Sequence, residues 1–448
     1  MIVLVACIAA IAGFLFGFDE GVIAGAEESL SATFPMSPSL KGFMTAAVPL
    51  GALIGAFAAG RLANMLGRRR ILIVAAIAFT VGSILAGAAG NLELLILARI
   101  ILGLAIGVAG MVAPLYISET ADAKRRGALV ATYQLAITLG IVSAYAVGYV
   151  LAEGGHWRWM FASGAVPAVA LLLGALRLPE SPRWLALKGD MEKVRASLMR
   201  LRSNDTAAVE QEMTDMQAVS VGEHKSRWHD LFARSVRPAV IAALGLYVLQ
   251  QLSGINAVIY YAPIIFADAG VDSSSTALLA TVGVGVINVA FTVVSMWLID
   301  RLGRRSLLIG GTIGTALSLA TLAIAVAWDG PGSDYIAIGA LFVYITAFAI
   351  SLGPIPHIMM SEVFPLALRG QGMATASVIN WGSNFLVVLM FPIALSAVGI
   401  SWVMGFFGVV CALGLLFSLR YVPETKGLPL EEIERRLESG NLMRPSGA

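Results

Sequence analysis

The residues of this chain that can do chemistry are few, and they lie inside long apolar runs. Asp19 stands in the first such run and Arg99 in the fourth. A carboxylate in hydrocarbon is costly to keep charged without a partner, and a guanidinium keeps its charge, so the two read as an ion pair. Such a pair is a switch, because a proton on Asp19 breaks it and frees the first run to move; a static buried salt bridge is the plainer alternative. Glu20 reads as a residue of the outer rim, outside that relay. A second group is rich in amides: Gln134, Gln250, Gln251, Asn256, Asn288 and Asn380 beside Trp381, with Asn384 assignable to this group or to packing. Amides donate and accept at once, which suits ligand hydroxyls, while an aromatic face suits a C–H surface; single amides equally glue helices together. No nucleophile–base pair, metal-ligand cluster or phosphate loop appears, so neither an enzyme, a cofactor nor a metal site is expected. Cys7 and Cys411 both sit in apolar runs, which argues against a disulfide framework.

The elements that must position these residues follow from composition. The chain has 448 residues, 58% apolar and 13% charged, and its mean hydropathy is +0.84. A soluble chain would be about half apolar and a quarter charged, so a cytosolic enzyme or a disordered regulator is excluded. A net charge of +2 is too small for a nucleic-acid partner. Runs of about 20 apolar residues, the length needed to cross a bilayer, recur twelve times, and the turn between the last two is expected near Ser396–Ser401. The first run has no basic leader and no small-residue cleavage site, so a retained helix is expected. Of 30 Lys and Arg, 27 fall at the tail or in alternate loops on one side, against Lys41 and Arg158 opposite and Arg99 within a span. That bias places both termini in the cytoplasm of a multi-pass plasma-membrane protein. The segment after the sixth span is too short for a core of its own and is expected to form helices under the bundle. Another amphipathic helix is expected at Leu430–Leu437.

Three motifs recur in the same order. The Gly67-Arg68-Arg69 turn returns as Gly303-Arg304-Arg305, Ser118-Glu119 with Arg126-Gly127 returns as Ser361-Glu362 with Arg369-Gly370, and Pro179-Glu180-Ser181-Pro182-Arg183 is echoed by Pro423-Glu424-Thr425-Lys426-Gly427. Repeats of this kind fix architecture. They imply an all-α membrane protein of two parallel six-helix repeats, divided as 1–178, a linker 179–237 with amphipathic helices, 238–421, and a tail 422–448. Arg68, Glu119, Arg126, Glu180, Arg183, Asp300, Arg304, Glu362, Arg369 and Glu424 are expected to form ion pairs that clamp the halves together on the cytoplasmic face in one conformation. Two parallel repeats rocking about a midplane site is a common route to alternating access.

At this point the motifs resemble those of the sugar porters of the major facilitator superfamily, from Phe14-Leu15-Phe16-Gly17-Phe18-Asp19 to the closing Pro-Glu-Thr-Lys-Gly, with Gln250-Gln251-Leu252-Ser253-Gly254-Ile255-Asn256 between. The resemblance implies the major facilitator fold and uptake of a monosaccharide, or a polyol, with a proton by a monomeric functional unit. It implies sugar contacts from Gln134, Gln250, Gln251, Asn256, Asn288, Asn380 and Trp381, with Phe16 and Tyr260 as walls, and proton coupling at Asp19 and Arg99. Two positions depart from the family pattern. His357 follows Gly353-Pro354 where a Trp is usual, so sugar preference is expected to differ, either through contact or with the imidazole turned to a backbone carbonyl at the rim. Asn64 replaces the usual Asp, so the first copy of the clamp is expected to be weaker than the copy with Asp300.

Overall fold

In the computed structural model the described residues are 2–120, 123–202, 205–220, 228–234, 236–271, 273–328, 330–364, 368–427, 432–433 and 435, by backbone alone at 2–4, 123–131, 208, 215–220, 228, 232, 361 and 369. Helices α1 (Ile2–Thr33), α2 (Pro38–Leu66), α3 (Arg68–Gly87), α4 (Leu92–Thr120), α5 (Ala123–Ala152), α6 (Trp157–Ser163) and α7 (Ala165–Arg177) build the first repeat. Helices α8 (Pro182–Leu187), α9 (Met191–Leu201) and α10 (Thr206–Ser220) occupy the linker. The second repeat comprises α11 (Arg237–Leu252), α12 (Ile255–Asp268), α13 (Ser274–Leu302), α14 (Arg304–Trp328), α15 (Ser333–Ile350), α16 (Ile355–Val363), α17 (Arg369–Val398) and α18 (Ile400–Tyr421). Among the described residues twelve spans are long and apolar enough to cross a membrane, because α6–α7, α11–α12 and α15–α16 each make one interrupted span. The turn between the last two spans falls at Gly399, as expected.

Two interruptions matter for the site. Gly254, at φ +88°, starts α12 where a β-carbon would stand 2.5 Å from the Phe407 ring. Pro354 follows Gly353 at the α15–α16 break, where a missing N–H ends the helical ladder. Breaks at membrane depth survive only when the freed backbone groups find partners inside the protein. Here the Leu352 and Gly353 carbonyls accept from Gln250 Nε2, and the Ser253 carbonyl accepts from the Tyr344 hydroxyl.

Close helix packing holds each repeat. Along α1 the glycines 13, 17, 21 and 25 recur every turn against α5, and a β-carbon on Gly21 would come within 2.7 Å of the Ile141 carbonyl oxygen. Small residues let backbones approach where lipid gives no hydrophobic drive between helices. Outward side chains are apolar too: Phe57 is 80% exposed and Trp402 76%, as a lipid-facing surface requires. Between the repeats, α1 meets α12, α2 meets α17 and α5 meets α13. Hydrogen bonds that cross this seam run from the Tyr145 hydroxyl to the Ile259 carbonyl (2.8 Å) and from Ser274 Oγ to Glu28 (3.3 Å). Ser274 and Glu28 lie at the helix ends away from the basic loops, so the repeats are drawn together on that side.

The linker has more of a core than expected. Leu185, Val194, Leu198 and Val209 form a small buried cluster of their own, capped by Trp184, Met191 and Met213. Ser197 and Arg200 tie it to the bundle through the Glu180 and Arg177 carbonyls. At the tail, Ile433 is buried, while the rest of the helix expected at Leu430–Leu437 lies largely outside the described residues.

Candidate functional site

The broken span α11–α12 carries most of the amides and faces the break in α15–α16. Gln250, near the end of α11, is committed to the Leu352 and Gly353 carbonyls at 2.7 and 3.1 Å. Gln251 and Asn256 lie on either side of the Gly254 break and form a chain with α17: Asn256 Nδ2 donates to Gln251 Oε1 (2.5 Å), and Gln251 Nε2 donates to Asn380 Oδ1 (2.6 Å). Among the described residues the outer ends of this chain, Asn256 Oδ1 and Asn380 Nδ2, bond to no protein group, so an acceptor oxygen and an amide NH2 with two donor hydrogens remain for a ligand. Next to Asn380, the Trp381 ring lies 5.0 Å from Phe16 of α1, joining the two repeats through an apolar pair.

The other expected contacts are more dispersed. Tyr260 is fully buried with its hydroxyl unpartnered, and Asn384 Oδ1 is likewise buried without a partner. Gln134, half-buried on α5, and Asn288, buried on α13, make no hydrogen bond to the Gln251 chain. His357 is half-buried, with Nδ1 3.3 Å from the Gly353 carbonyl and its ring edge-on to Tyr247 at 5.3 Å. It therefore shares the Gly353 oxygen with Gln250, one bond removed from the amides. Tyr247 and Tyr344, missed in the sequence, brace this corner; only their proximity across the fold marks them.

The ion pair is buried and loosely held. Arg99 Nη2 stands 3.9 Å from Asp19 Oδ2, ion-pair distance without a hydrogen bond, and Arg99 is fully buried. The guanidinium is instead anchored by the Met44 and Thr45 carbonyls of α2 (3.0 and 3.3 Å) and lies 5.7 Å over the Phe161 ring. Among the described residues, Asp19 Oδ2 and Arg99 Nη1 have no hydrogen-bond partner. Glu20 corrects the expectation of a rim position: it is 2% exposed, as deep as Asp19, because α1 is enclosed by α4, α5 and α12.

On the basic face the matched motifs assemble into two copies of one cluster. Glu180 accepts from the backbone N–H groups of Arg68 (2.8 Å), Arg69 (3.0 Å) and Ser181 (2.9 Å), capping the start of α3. Glu424 does the same for α14 through Arg304 and Arg305, both at 3.1 Å. Arg68 clasps Glu119 through Nε (2.9 Å) and Nη2 (2.7 Å), and Ser181 Oγ donates to the same carboxylate at 2.5 Å. In the second copy Arg304 reaches Glu362 only through Nη2 (3.0 Å), and Thr425 Oγ1 stands where Ser181 does (2.5 Å). Ser181 and Thr425 were legible only as motif letters; their role appears once the carboxylate is beside them.

The clamp between halves is expected in one conformation only; in this one the described members pair the first repeat with the linker that follows it and the second with the tail. One expectation changes. The copy with Asn64 is the tighter one: Asn64 accepts from Arg68 Nη1 at 3.3 Å, much as Asp300 does from Arg304 at 3.5 Å, while Arg304 Nε is unpartnered. The difference comes from burial, since Arg68 is 4% exposed and bonded through two nitrogens while Asp300 is open to solvent. Arg183 is exposed at the start of α8, and the side chains of Arg126 and Arg369 lie outside the described ones.

Twelve spans in two parallel repeats, broken helices meeting at a polar midplane and charge clusters at one face define a secondary transporter of the major facilitator type rather than an enzyme. The chain belongs to the sugar (and other) transporter family, whose model matches residues 5–437. It is 38% identical to the galactose-proton symporter of Escherichia coli over 98% of this chain and 95% of that one. It is also 38% identical to a D-xylose transporter of Levilactobacillus brevis, over 96% and 94%. The partially occluded inward-open structure of the Escherichia coli xylose transporter superposes with a TM-score of 0.84 at 31% identity, covering 96% and 99% of the two chains.

Proposed function

We propose that this protein takes up a monosaccharide together with a proton by alternating access. The observation that carries the reading is a protonatable pair, Asp19–Arg99, on α1 and α4, with α1 also touching the ligand-ready amides through the Phe16–Trp381 contact. Relatives that carry xylose and galactose, one of them named a proton symporter, support it. Sugar hydroxyls bond to Asn256, Asn380 and the remaining amides, and Phe16 and Trp381 cover the C–H face. Protonation of Asp19 removes the attraction that tethers α1 to α4, so the loaded carrier rocks; release of the proton restores the pair. With both termini in the cytoplasm, in keeping with the basic-loop bias, the seam closed away from the basic loops makes this conformation inward-facing. Residues 1–178 and 238–421 are then the moving bodies, each with its own charge cluster as a rigid foot, and a monomer suffices as the functional unit. Polyols of similar shape belong to the substrate class.

The test is transport in proteoliposomes with labelled D-xylose, D-galactose and D-glucose. An inward proton gradient drives accumulation above equilibrium in the wild type. Asp19→Asn abolishes that accumulation while exchange between sugar-loaded vesicles and medium continues. Undiminished proton-driven accumulation in the variant overturns coupling through Asp19, and absence of exchange for all three sugars in the wild type overturns the substrate class.

A further inference from the structure

We propose that Glu20 is a second proton-binding carboxyl of the transport site, one that keeps its proton while Asp19 exchanges its own. The inference rests on the transport reading above and extends it to a residue which that reading leaves unused.

Adjacent residues on a helix point about 100° apart. Asp19 faces Arg99 of α4, whereas Glu20 lies deep between α1 and its neighbours with Oε1 lacking any partner. Helices α4, α5, α6, α7 and α12 pack on α1, and their titratable side chains include Arg99 on α4, which pairs with Asp19, Tyr133 and Tyr145 on α5, and Tyr260 on α12. Of the tyrosines, Tyr145 gives its hydroxyl hydrogen to the Ile259 carbonyl, and Tyr260 has no partner. None of the three supplies a cation. The basic residues of α5, 124–126, lie about four turns away toward the opposite end. On α6 and α7, Arg158 is stacked on Trp157 and bonded to the Ala89 carbonyl, and Arg177 ends its helix.

Among the described residues the charge balance here therefore has one cation, Arg99, for the two buried carboxyls Asp19 and Glu20. Arg99 is used by Asp19 and by two carbonyls of α2. An ionised Glu20 would stand desolvated, unpaired and beside a like charge, each of which disfavours the anion. Protonated, it is neutral and needs no counter-charge. Two coupled acids then titrate in separate steps: Asp19 serves the cycle, and loss of the Glu20 proton at alkaline pH leaves an unpaired anion between α1, α5 and α12 and arrests movement.

Infrared spectroscopy of the purified full-length protein at neutral pH tests this without any ligand. The wild type is expected to hold a C=O band of a protonated buried carboxyl that Glu20→Gln removes and Glu20→Asp retains at a shifted frequency. A band that survives Glu20→Gln but disappears in Asp19→Asn, or no such band at all, overturns the proposal. Exchange of labelled D-xylose, D-galactose or D-glucose between equilibrated vesicles gives the second readout and needs no proton gradient. Measured in the Asp19→Asn background, where Asp19 no longer titrates, its alkaline decline is expected to persist with Glu20 or Glu20→Asp and to be lost when Glu20→Gln is added; an identical decline in the Asp19→Asn, Glu20→Gln double variant overturns the proposal. Retained proton-driven accumulation in Asp19→Asn would sink the coupling reading alone and leave the Glu20 result standing.

Discussion

The Glu180 carboxylate caps α3 by accepting from the backbone N–H of Arg68, 112 positions earlier in the chain. Helix starts leave N–H groups unpaired and carry a partial positive charge, so an anion there is stabilising. The cap also explains Gly67, whose φ is +92° and whose β-carbon would fall on the Glu180 carboxylate.

Removing the cap should loosen the first repeat. Glu180→Ala is expected to cost about 2 kcal/mol, the value of charge-assisted bonds left unmade at a partly buried helix end. Gly67→Ala is expected to cost about 1–3 kcal/mol from the positive-φ extended backbone alone, a conformation essentially reserved to glycine. Thermal unfolding in detergent checks both, and a midpoint equal to wild type for Glu180→Ala would show that water replaces the carboxylate at no cost.

The two charge clusters should differ in strength. Breaking a buried pair by removing one partner costs about 3–5 kcal/mol, far more than for an exposed one. Glu119→Gln, facing the two-nitrogen clasp of Arg68, is therefore expected to lower stability more than Glu362→Gln. Unfolding midpoints of the two variants, measured side by side, decide it. The reverse order would restore the ranking suggested by Asn64 and Asp300.

The amide chain should govern affinity more than folding. Gln251→Ala leaves Asn256 and Asn380 without their mutual link and deprives a ligand of aligned groups. One to two lost hydrogen bonds correspond to about 1–3 kcal/mol, or a rise in KM of roughly tenfold to a hundredfold. The KM for exchange, against an unaltered unfolding midpoint, is the measurement. An unchanged KM would remove Gln251 from the binding surface.

His357 should tune selectivity. It reaches the site through the Gly353 carbonyl shared with Gln250. His357→Trp is expected to change the ranking of unlabelled sugars in a competition panel more than the maximal rate. Identical competition profiles would place the side chain outside the site.

Much of this was legible in the one-dimensional pattern. Apolar runs of bilayer length, basic residues in alternate loops and motifs repeated six spans apart are properties of composition and order, so the twelve spans, the doubled architecture and the candidate pair Asp19–Arg99 can be read from the chain directly. What order alone does not carry is direction in space. Glu20 is next to Asp19 in sequence, yet one residue's turn of the helix points it to a separate buried environment instead of the rim. Asn64 looked like a weakened Asp300, but burial and the second nitrogen of Arg68 decide strength, and neither has a sequence signature. Gln250, Gln251 and Asn380 were visible as amides; that Gln250 is spent on freed carbonyls while Asn256 and Asn380 keep groups for a ligand depends on two helix breaks facing each other. Polarity and period are local and survive in the sequence, whereas partnership is made by hydrogen bonds between residues up to 246 positions apart and exists only once they pack.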